Sequence, residues 1–272
     1  MILVNGIQTN NLPVSDRGLH YGDGVFETIA IRNKQPQFLA SHLDRLKLGC
    51  SALSIPLPDM DELGSEIASL TDTVADKAIL KIIITRGSGG RGYRPEAAPQ
   101  VTRVLTLHPW GDHINEHREK GIQLTLCETR LAHNPQLSGF KHLNRLEQVL
   151  ASAELTDNFQ EGIMQDMDGF IIEGTMSNLF IVTGDNTVKT PRLGQCGIQG
   201  IMRDKLLKWL KNNKINVVEA NIRMGEVLQA QSILMSNSII GLWPVKSFKS
   251  RQQTRDYVFA DFAASFNKQL DT

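Results

Sequence analysis

Two ionisable side chains lie among apolar neighbours, where each could do chemistry. Lys141 belongs to SGFKHLNRLEQ, just before a predicted helix and close to Phe140 and Leu143. Loss of water lowers the pKa of an ammonium group, so a lysine in such surroundings can act as a nucleophile. Glu173 lies between two runs rich in Ile, Leu and Phe, where a carboxylate needs a buried partner. A protonated ring nitrogen of a bound ligand would be such a partner.

The stretch GIQGIMR at 197–203 predicts an anion site. Two glycines come directly before a predicted helix, where free backbone N–H groups and the positive end of the helix dipole favour a phosphate. Arg45, in HLDRL, could add a guanidinium. A non-catalytic protein that binds a phosphorylated ligand here is an alternative, but it leaves Lys141 and Glu173 unexplained.

Two other patterns are weaker. Residues 87–92 read G-x-G-x-x-G after a predicted strand, but Pro95 and Pro99 follow, so the helix that a dinucleotide site needs cannot start there. His113 and His117 are spaced as metal ligands on a helix would be, but the sequence completes no ligand set. We expect solvated histidines and no metal.

The elements that position these residues mix strands and helices irregularly. Residue patterning predicts helices at 39–53, 59–70, 143–155, 201–213 and over the last fifteen residues. It predicts strands at 2–9, 25–33, 35–39, 78–87, 101–110, 122–130, 161–189, 215–222 and 232–245. Because strands and helices do not alternate regularly, the fold class is predicted to be α+β.

Composition narrows the possible partners. The 29 basic residues balance 29 acidic ones, so nucleic acid is not an expected partner. No stretch reaches the length of a membrane span or a signal peptide, so we expect a cytoplasmic protein without a membrane partner. Three scattered cysteines predict neither a disulfide framework nor a zinc cluster.

Six motifs in order resemble the fold-type IV pyridoxal phosphate family, which includes branched-chain and D-amino-acid aminotransferases and 4-amino-4-deoxychorismate lyases. They are SDRGLHYGDGVFETI at 15–29, HLDRL at 42–46, KHLNRL at 141–146, EGTMSNLF at 173–180, GIMR at 200–203 and MSNSIIGLWPV at 235–245. The resemblance implies a smaller N-terminal domain at 1–110, a linker at 111–118 and a larger C-terminal domain at 119–272. It further implies a homodimer, with pyridoxal 5′-phosphate held between the two domains.

The resemblance also implies roles for single residues. Lys141 would be the Schiff-base lysine and Glu173 the partner of the pyridinium nitrogen. The cofactor phosphate would be held by Arg45, Ile201, Met202 and Ser238. Arg145 stands where the family commonly has a tyrosine near the cofactor hydroxyl, so the contact to that oxygen is not assigned.

Within the family, RGSGGRGY at 86–93, the stretch 141–150 and Thr28 are most similar to the deoxychorismate lyases. Branched-chain aminotransferases usually have glycine in place of Thr28 and of Asn237. We therefore expect cleavage of a small molecule, 4-amino-4-deoxychorismate, to 4-aminobenzoate and pyruvate, with Lys141 and Thr28 catalytic. Thr28, Asn237, Arg91 and Arg94 are expected to bind the substrate, and Asn237 the cofactor as well. An aminotransferase of the same fold is the alternative.

Overall fold

A computed structural model describes residues 1–250 and 253–271. These residues form two compact units. The first comprises 1–111 and 140–144, and the second 112–139 and 145 onward. Whether these units are the two domains expected from the sequence stays a prediction, although the predicted linker at 111–118 contains the first residues of a helix.

The first unit is built on one antiparallel sheet. Its strands are β1 (Ile2–Val4), β2 (Ile7–Gln8), β3 (Gly24–Arg32), β4 (Gln35–Pro36), β5 (Lys77–Thr85) and β6 (Thr102–Pro109). Their order is β2-β1-β6-β5-β3-β4. The helices are α1 (Arg17–Tyr21), α2 (Leu39–Ala52) and α3 (Met60–Thr71).

One face of this sheet is the core side. Successive strand residues point to opposite faces, so Ile29 on β3 and Ile82 and Ile84 on β5 share the buried face. They form a core with Leu46 of α2 and Leu63 of α3. The opposite face carries half-buried side chains and therefore remains available for chemistry.

The second unit is built on a larger mixed sheet. Its strands are β7 (Ile122–Leu131), β8 (Glu161–Asp166), β9 (Phe170–Gly174), β10 (Asn178–Val182), β11 (Val188–Pro191), β12 (Val217–Ala220), β13 (Ile222–Arg223), β14 (Ser232–Asn237), β15 (Gly241–Lys249) and β16 (Thr254–Asp256). The order is β12-β11-β10-β14-β15-β7-β8-β9-β13, with β16 paired to β15. The helices are α4 (His113–Lys120), α5 (Leu146–Ala153), α6 (Ile201–Asn212), α7 (Met224–Gln229) and α8 (Asp261–Asp271).

The α+β class predicted from the sequence is confirmed. Three short helices were not predicted, namely α1, α4 and α7. α4 has a polar sequence of which only Ile114 is buried, so its residues lack the apolar stripe that would have indicated a helix. No helix among the described residues is both long enough and apolar enough to span a membrane.

Candidate functional site

The backbone around Lys141 is fixed against β3. The Phe26 N–H donates to the Lys141 carbonyl at 3.0 Å, and the Leu143 N–H donates to the Gly24 carbonyl at 3.0 Å. Gly24 allows this close approach, because a Cβ there would lie 2.5 Å from the Ile84 carbonyl oxygen. Two motifs that are far apart in sequence, DGVFET and KHLNRL, therefore meet in the first unit.

The Lys141 side chain lies over the half-buried face of β3. Its Nζ is 4.3 Å from the centroid of the Phe26 ring. Thr28 lies on the same face of β3 as Phe26, because the two residues are two apart in the strand. The structure thus places a lysine that can exchange protons and a hydroxyl on one surface of the first unit.

Lys81 belongs to the same surface, and sequence reasoning missed it. Lys81, on β5, pairs with Thr28 of the neighbouring strand β3, and its Nζ is 5.4 Å from the centroid of the Phe26 ring. A charged residue within the apolar strand KAILKIIIT was the available signal. A second ammonium group here could bind an anionic part of a substrate.

Arg45 is held from the buried side of β3 by Glu27. Its Nε and Nη2 donate to the two carboxylate oxygens of Glu27 at 2.8 and 2.6 Å. His42 Nδ1 lies 2.6 Å from the same carboxylate. Burial acts to raise the pKa of Glu27, but the hydrogen bonds from Arg45 and His42 outweigh it and hold that pKa below its ordinary value. Arg45 is therefore a charged side chain with a set orientation.

Arg91 and Arg94 lie on the exposed connection between β5 and β6. The described residues from 86 to 101 contain no helix, as Pro95 and Pro99 predicted for the stretch after the glycines. Gly87 has a positive φ, and a Cβ there would lie 1.8 Å from the Gln100 carbonyl oxygen. The glycine therefore closes the base of this connection.

Glu173 is buried in the second unit, at the end of β9. Its Oε2 accepts from the Ile198 N–H at 2.8 Å, and its Oε1 accepts from Gln148 Nε2 at 3.3 Å. Burial lowers the pKa of Arg145, and the charge of Glu173 acts in the opposite direction. The two groups therefore interact electrostatically. These hydrogen bonds hold the Glu173 carboxylate in buried surroundings, and its role as the partner of a cationic ring nitrogen stays a prediction.

The N-cap residue of α6 makes no side-chain hydrogen bond to the helix. Gly200 is the N-cap residue, and Ile201 and Met202 begin the helix. Gly200 is needed because a Cβ would lie 2.0 Å from Asn178 Oδ1, while Asn178 Nδ2 donates to the Ile198 carbonyl at 2.8 Å. The first N–H groups of an uncapped helix are suited to an anion such as phosphate.

Asn237 uses its side chain to shape the turn that contains Ser238. Its Oδ1 accepts from the N–H groups of Ile239 and Ile240 at 2.9 Å, and its Nδ2 donates to the Met176 carbonyl at 3.0 Å. Ser238 itself is half-buried. Asn237 thus positions its neighbour, and direct contacts of either side chain with a cofactor or substrate remain predictions.

A buried carboxylate, Glu161, supports the same region. Its Oε1 accepts from the N–H groups of Gly162 and Thr175, and its Oε2 accepts from the Ser177 hydroxyl. Burial raises the pKa of Glu161 despite these hydrogen bonds. Glu161 therefore fixes the turn after Glu173. Sequence reasoning did not identify Glu161.

The two histidines of α4 pack against an aromatic side chain. The His117 ring lies 4.9 Å from the Trp243 ring and 5.6 Å from the His113 ring. Burial, together with the charge of His113, lowers the pKa of His117. The expectation of fully solvated histidines is therefore wrong for His117, which is half-buried.

The predicted site residues thus form two sets. Thr28, Arg45, Arg91, Arg94 and Lys141 belong to the first unit, in which Lys141 and Thr28 share one surface. The second unit contains Glu173, Ile201, Met202, Asn237 and Ser238. The role of each residue stays a prediction.

Known proteins are similar over the whole chain. Aminodeoxychorismate lyase of Vibrio harveyi is 34% identical over 275 residues, covering 100% of both chains. The crystal structure of 4-amino-4-deoxychorismate lyase from Pseudomonas aeruginosa superposes with a TM-score of 0.92 at 38% identity, also covering 100% of both chains. Branched-chain amino acid aminotransferase of Escherichia coli gives a TM-score of 0.84 at 25% identity, over 99% of this chain and 92% of that one.

These similarities confirm the resemblance and the fold expected from the six motifs. Residues 24–248 match the family described as amino-transferase class IV, and this range includes every predicted site residue. The chain belongs to the amino-transferase class IV family.

Proposed function

We propose that the protein is a pyridoxal 5′-phosphate-dependent lyase that converts 4-amino-4-deoxychorismate to 4-aminobenzoate and pyruvate, a step of folate synthesis. The observation that carries the proposal is the placement of Lys141 on the Thr28 surface of β3. The full-length similarity to two lyases supports it. Thr28 would supply a hydroxyl where branched-chain aminotransferases are expected to have glycine.

The residues present fit the cofactor. Glu173 offers a buried acceptor for a protonated ring nitrogen, and the start of α6 offers uncapped N–H groups for a phosphate. Arg45 adds a guanidinium whose orientation Glu27 sets. Ser238 and Asn237 would complete the phosphate side. When bound, pyridoxal phosphate supplies an electron sink that stabilises negative charge on the substrate carbon next to the amine.

Lys141 and Thr28 would then move the protons. Lys141 would hold the cofactor covalently and, as a free amine, take the proton from C4 of the substrate. The bond between C3 and the ether oxygen breaks as the ring becomes aromatic. Lys141, assisted by the Thr28 hydroxyl, would return a proton to the methylene carbon of the departing enolpyruvyl group, which yields pyruvate.

The substrate carboxylates need cations, and the first unit provides three candidates. Lys81, on β5, lies opposite Thr28, and Arg91 and Arg94 lie on the connection that follows β5. Lys81 is the best placed of these for a carboxylate near the reacting carbons, because its ammonium group shares the Phe26 ring with Lys141. We assign Arg91, and after it Arg94, to a second carboxylate.

A homodimer in the cytoplasm completes the proposal. Helix α5 exposes Leu146, Val149 and Leu150, with 75%, 59% and 59% of each residue accessible. Their spacing places them on one helical face, and an exposed apolar face of this kind is typical of an association surface. Cys50, Cys127 and Cys196 are buried free thiols, which agrees with a reducing compartment.

The test supplies the purified protein with 4-amino-4-deoxychorismate and no 2-oxo acid, and measures both products together. We expect equal amounts of 4-aminobenzoate and pyruvate from the wild type and from Lys120→Ala, which removes an exposed lysine. We expect neither product from Lys141→Ala, together with loss of the visible absorption band of lysine-bound cofactor. If the wild type instead forms glutamate from leucine or D-alanine and 2-oxoglutarate, the aminotransferase alternative is correct.

A further inference from the structure

Arg17 is a buried arginine with no part in the reaction described above. Its Nε donates to Asp23 Oδ2 at 2.9 Å, and its guanidinium lies 4.8 Å from the Tyr21 ring centroid. Its two remaining nitrogens donate to the Gly92 and Tyr93 carbonyls at 3.0 and 2.7 Å. The Arg17 guanidinium, which the Asp23 carboxylate orients, thus binds two successive carbonyls after the last glycines of the connection between β5 and β6.

The first residues of that connection are also hydrogen-bonded to the segment around α1. The Arg17 N–H donates to the Gly87 carbonyl at 2.9 Å, and the Ser15 hydroxyl donates to the Ser88 hydroxyl at 3.0 Å. We call residues Gly87–Tyr93 the glycine loop. It is held at both ends by the same stretch of chain, and Arg91 stands exposed between the two attachments.

Without these contacts little would restrict the glycine loop to one conformation. It contains four glycines, whose backbone is less restricted than that of other residues, and Tyr93 is 85% exposed. Its aromatic ring nevertheless lies 5.4 Å from the Tyr21 ring. Arg17 and Tyr21, both on α1, therefore fix the end of the glycine loop that lies nearest to Arg91.

We propose that Arg17 is a positioning residue, which holds the glycine loop on α1 so that Arg91 is presented to a carboxylate of the substrate. The inference rests on the proposed function for the substrate and for the assignment of Arg91 to its carboxylate, whereas the attachment of the loop to Arg17 does not depend on it. The glycine loop is then a fixed wall of the substrate site and not a lid that closes over it. Selectivity for an anionic substrate depends on α1 as well as on the residue that touches the anion.

Limited proteolysis tests the attachment without any assay of activity. Trypsin can cut after Arg91, whereas Arg94 is protected by the following Pro95. Loss of charged hydrogen bonds should let the glycine loop open more often, so we expect cleavage at Arg91 to be at least about tenfold faster in Arg17→Lys than in the wild type. Arg86→Lys is the matched control, because Arg86 also donates to Asp23 but not to the loop carbonyls.

The KM for 4-amino-4-deoxychorismate tests the link to the substrate. We expect Arg17→Lys and Arg91→Gln each to raise KM, and Arg17→Lys to have no further effect in an Arg91→Gln background. Effects of two residues that act through one contact are not additive. The visible band of the bound cofactor should be unchanged in Arg17→Lys, since Asp23, Tyr21, Gly92 and Tyr93, which Arg17 contacts, are not assigned to the cofactor.

Equal cleavage rates in Arg17→Lys and the wild type would overturn the attachment. Faster cleavage with unchanged KM, or additive effects on KM, would overturn the role of the glycine loop in substrate binding. If Arg17→Lys does not fold, Tyr21→Leu replaces it, because the Tyr21 ring contacts both the Arg17 guanidinium and the Tyr93 ring, and its loss should also speed cleavage. If the wild type releases neither product, the proposed function fails, while the cleavage rates still decide whether Arg17 holds the loop.

Discussion

Two adjacent residues of β3 serve opposite faces of the sheet. Thr28 shares the surface of Lys141, whereas Glu27 points to the buried side and orients Arg45. Removal of the Thr28 hydroxyl should impair proton transfer and leave cofactor binding intact. We expect Thr28→Val to lower kcat about a hundredfold, with little change in the affinity for pyridoxal phosphate. Steady-state kinetics with a cofactor titration check this, and Thr106→Val, on the same face, should keep wild-type turnover.

Glu27 should matter for the cofactor and for stability together. Glu27→Gln breaks a buried ion pair, so we expect a free energy of unfolding lower by about 3 kcal/mol and weaker binding of pyridoxal phosphate. Glu66→Gln is the matched control, because Glu66 is a buried partner of Arg103. That variant should lose stability but retain cofactor affinity. Wild-type affinity in Glu27→Gln would contradict the assignment of Arg45 to the cofactor.

The contribution of Glu27 also depends on pH in a definite direction. Folding lowers the pKa of this carboxyl, so its ionised form is favoured in the folded state. The stabilisation is therefore fully present above the ordinary glutamate pKa of about 4.3, and it is lost as pH falls through the lower folded value. The difference in unfolding free energy between wild type and Glu27→Gln should shrink as the medium is acidified below that range.

At the scale of an element, the start of α6 depends on a glycine. Gly200→Ala would place a methyl group 2.0 Å from Asn178 Oδ1 and displace the first turn of the helix. We expect a loss of about 1–3 kcal/mol in stability. Pyridoxal phosphate should also raise the melting temperature less than in the wild type, since a weaker ligand stabilises less. Thermal unfolding with and without cofactor measures both.

Gly194→Ala provides the control for this element. Gly194 lies in the same connection before α6, and a Cβ there meets no atom within 4 Å among the described residues. The variant should match the wild type in melting temperature and in its response to the cofactor. If Gly200→Ala also matched the wild type in both, the start of α6 would not be the phosphate site.

For the whole molecule, the exposed face of α5 predicts the state of association. We expect Val149→Glu to place a charge within the apolar face and to shift the protein from dimer to monomer. Light scattering during size-exclusion chromatography measures this. Lys208→Glu, an exposed change on α6, should remain dimeric. A monomeric wild type would refute the proposed homodimer.

The sequence predicted most of the long elements, because their apolar residues recur with a clear period. Strands β3 and β5 and helices α2, α3 and α6 lie within a few residues of the predicted ranges. Helix α1 was missed although Asp16 caps it and Gly22 ends it, because five residues are too few to show a helical period. Short elements are specified by their ends, which carry weaker signals than an apolar stripe.

The site was predicted in part, and the missing part is the support around it. Motifs singled out Lys141, Glu173 and the start of α6 as candidates, because each has an unusual sequence context. Lys81 was missed because strand pairing brings it beside Thr28. Glu161 was missed because only its burial in the folded chain shows that it is unusual. The lone charge within KAILKIIIT marked Lys81 as unusual, but only contacts between residues far apart in sequence show what Lys81 and Glu161 lie beside.

The pairing of residues 140–144 with β3 has a consequence for insertions and deletions. Neighbouring residues of this extended segment point in opposite directions, with Lys141 over the Phe26 ring and His142 buried. Deletion of one residue between Gly139 and Lys141 would bring His142 into the place of the lysine, although no functional side chain had been removed. The number of residues in this segment is thus under the same constraint as the identity of Lys141.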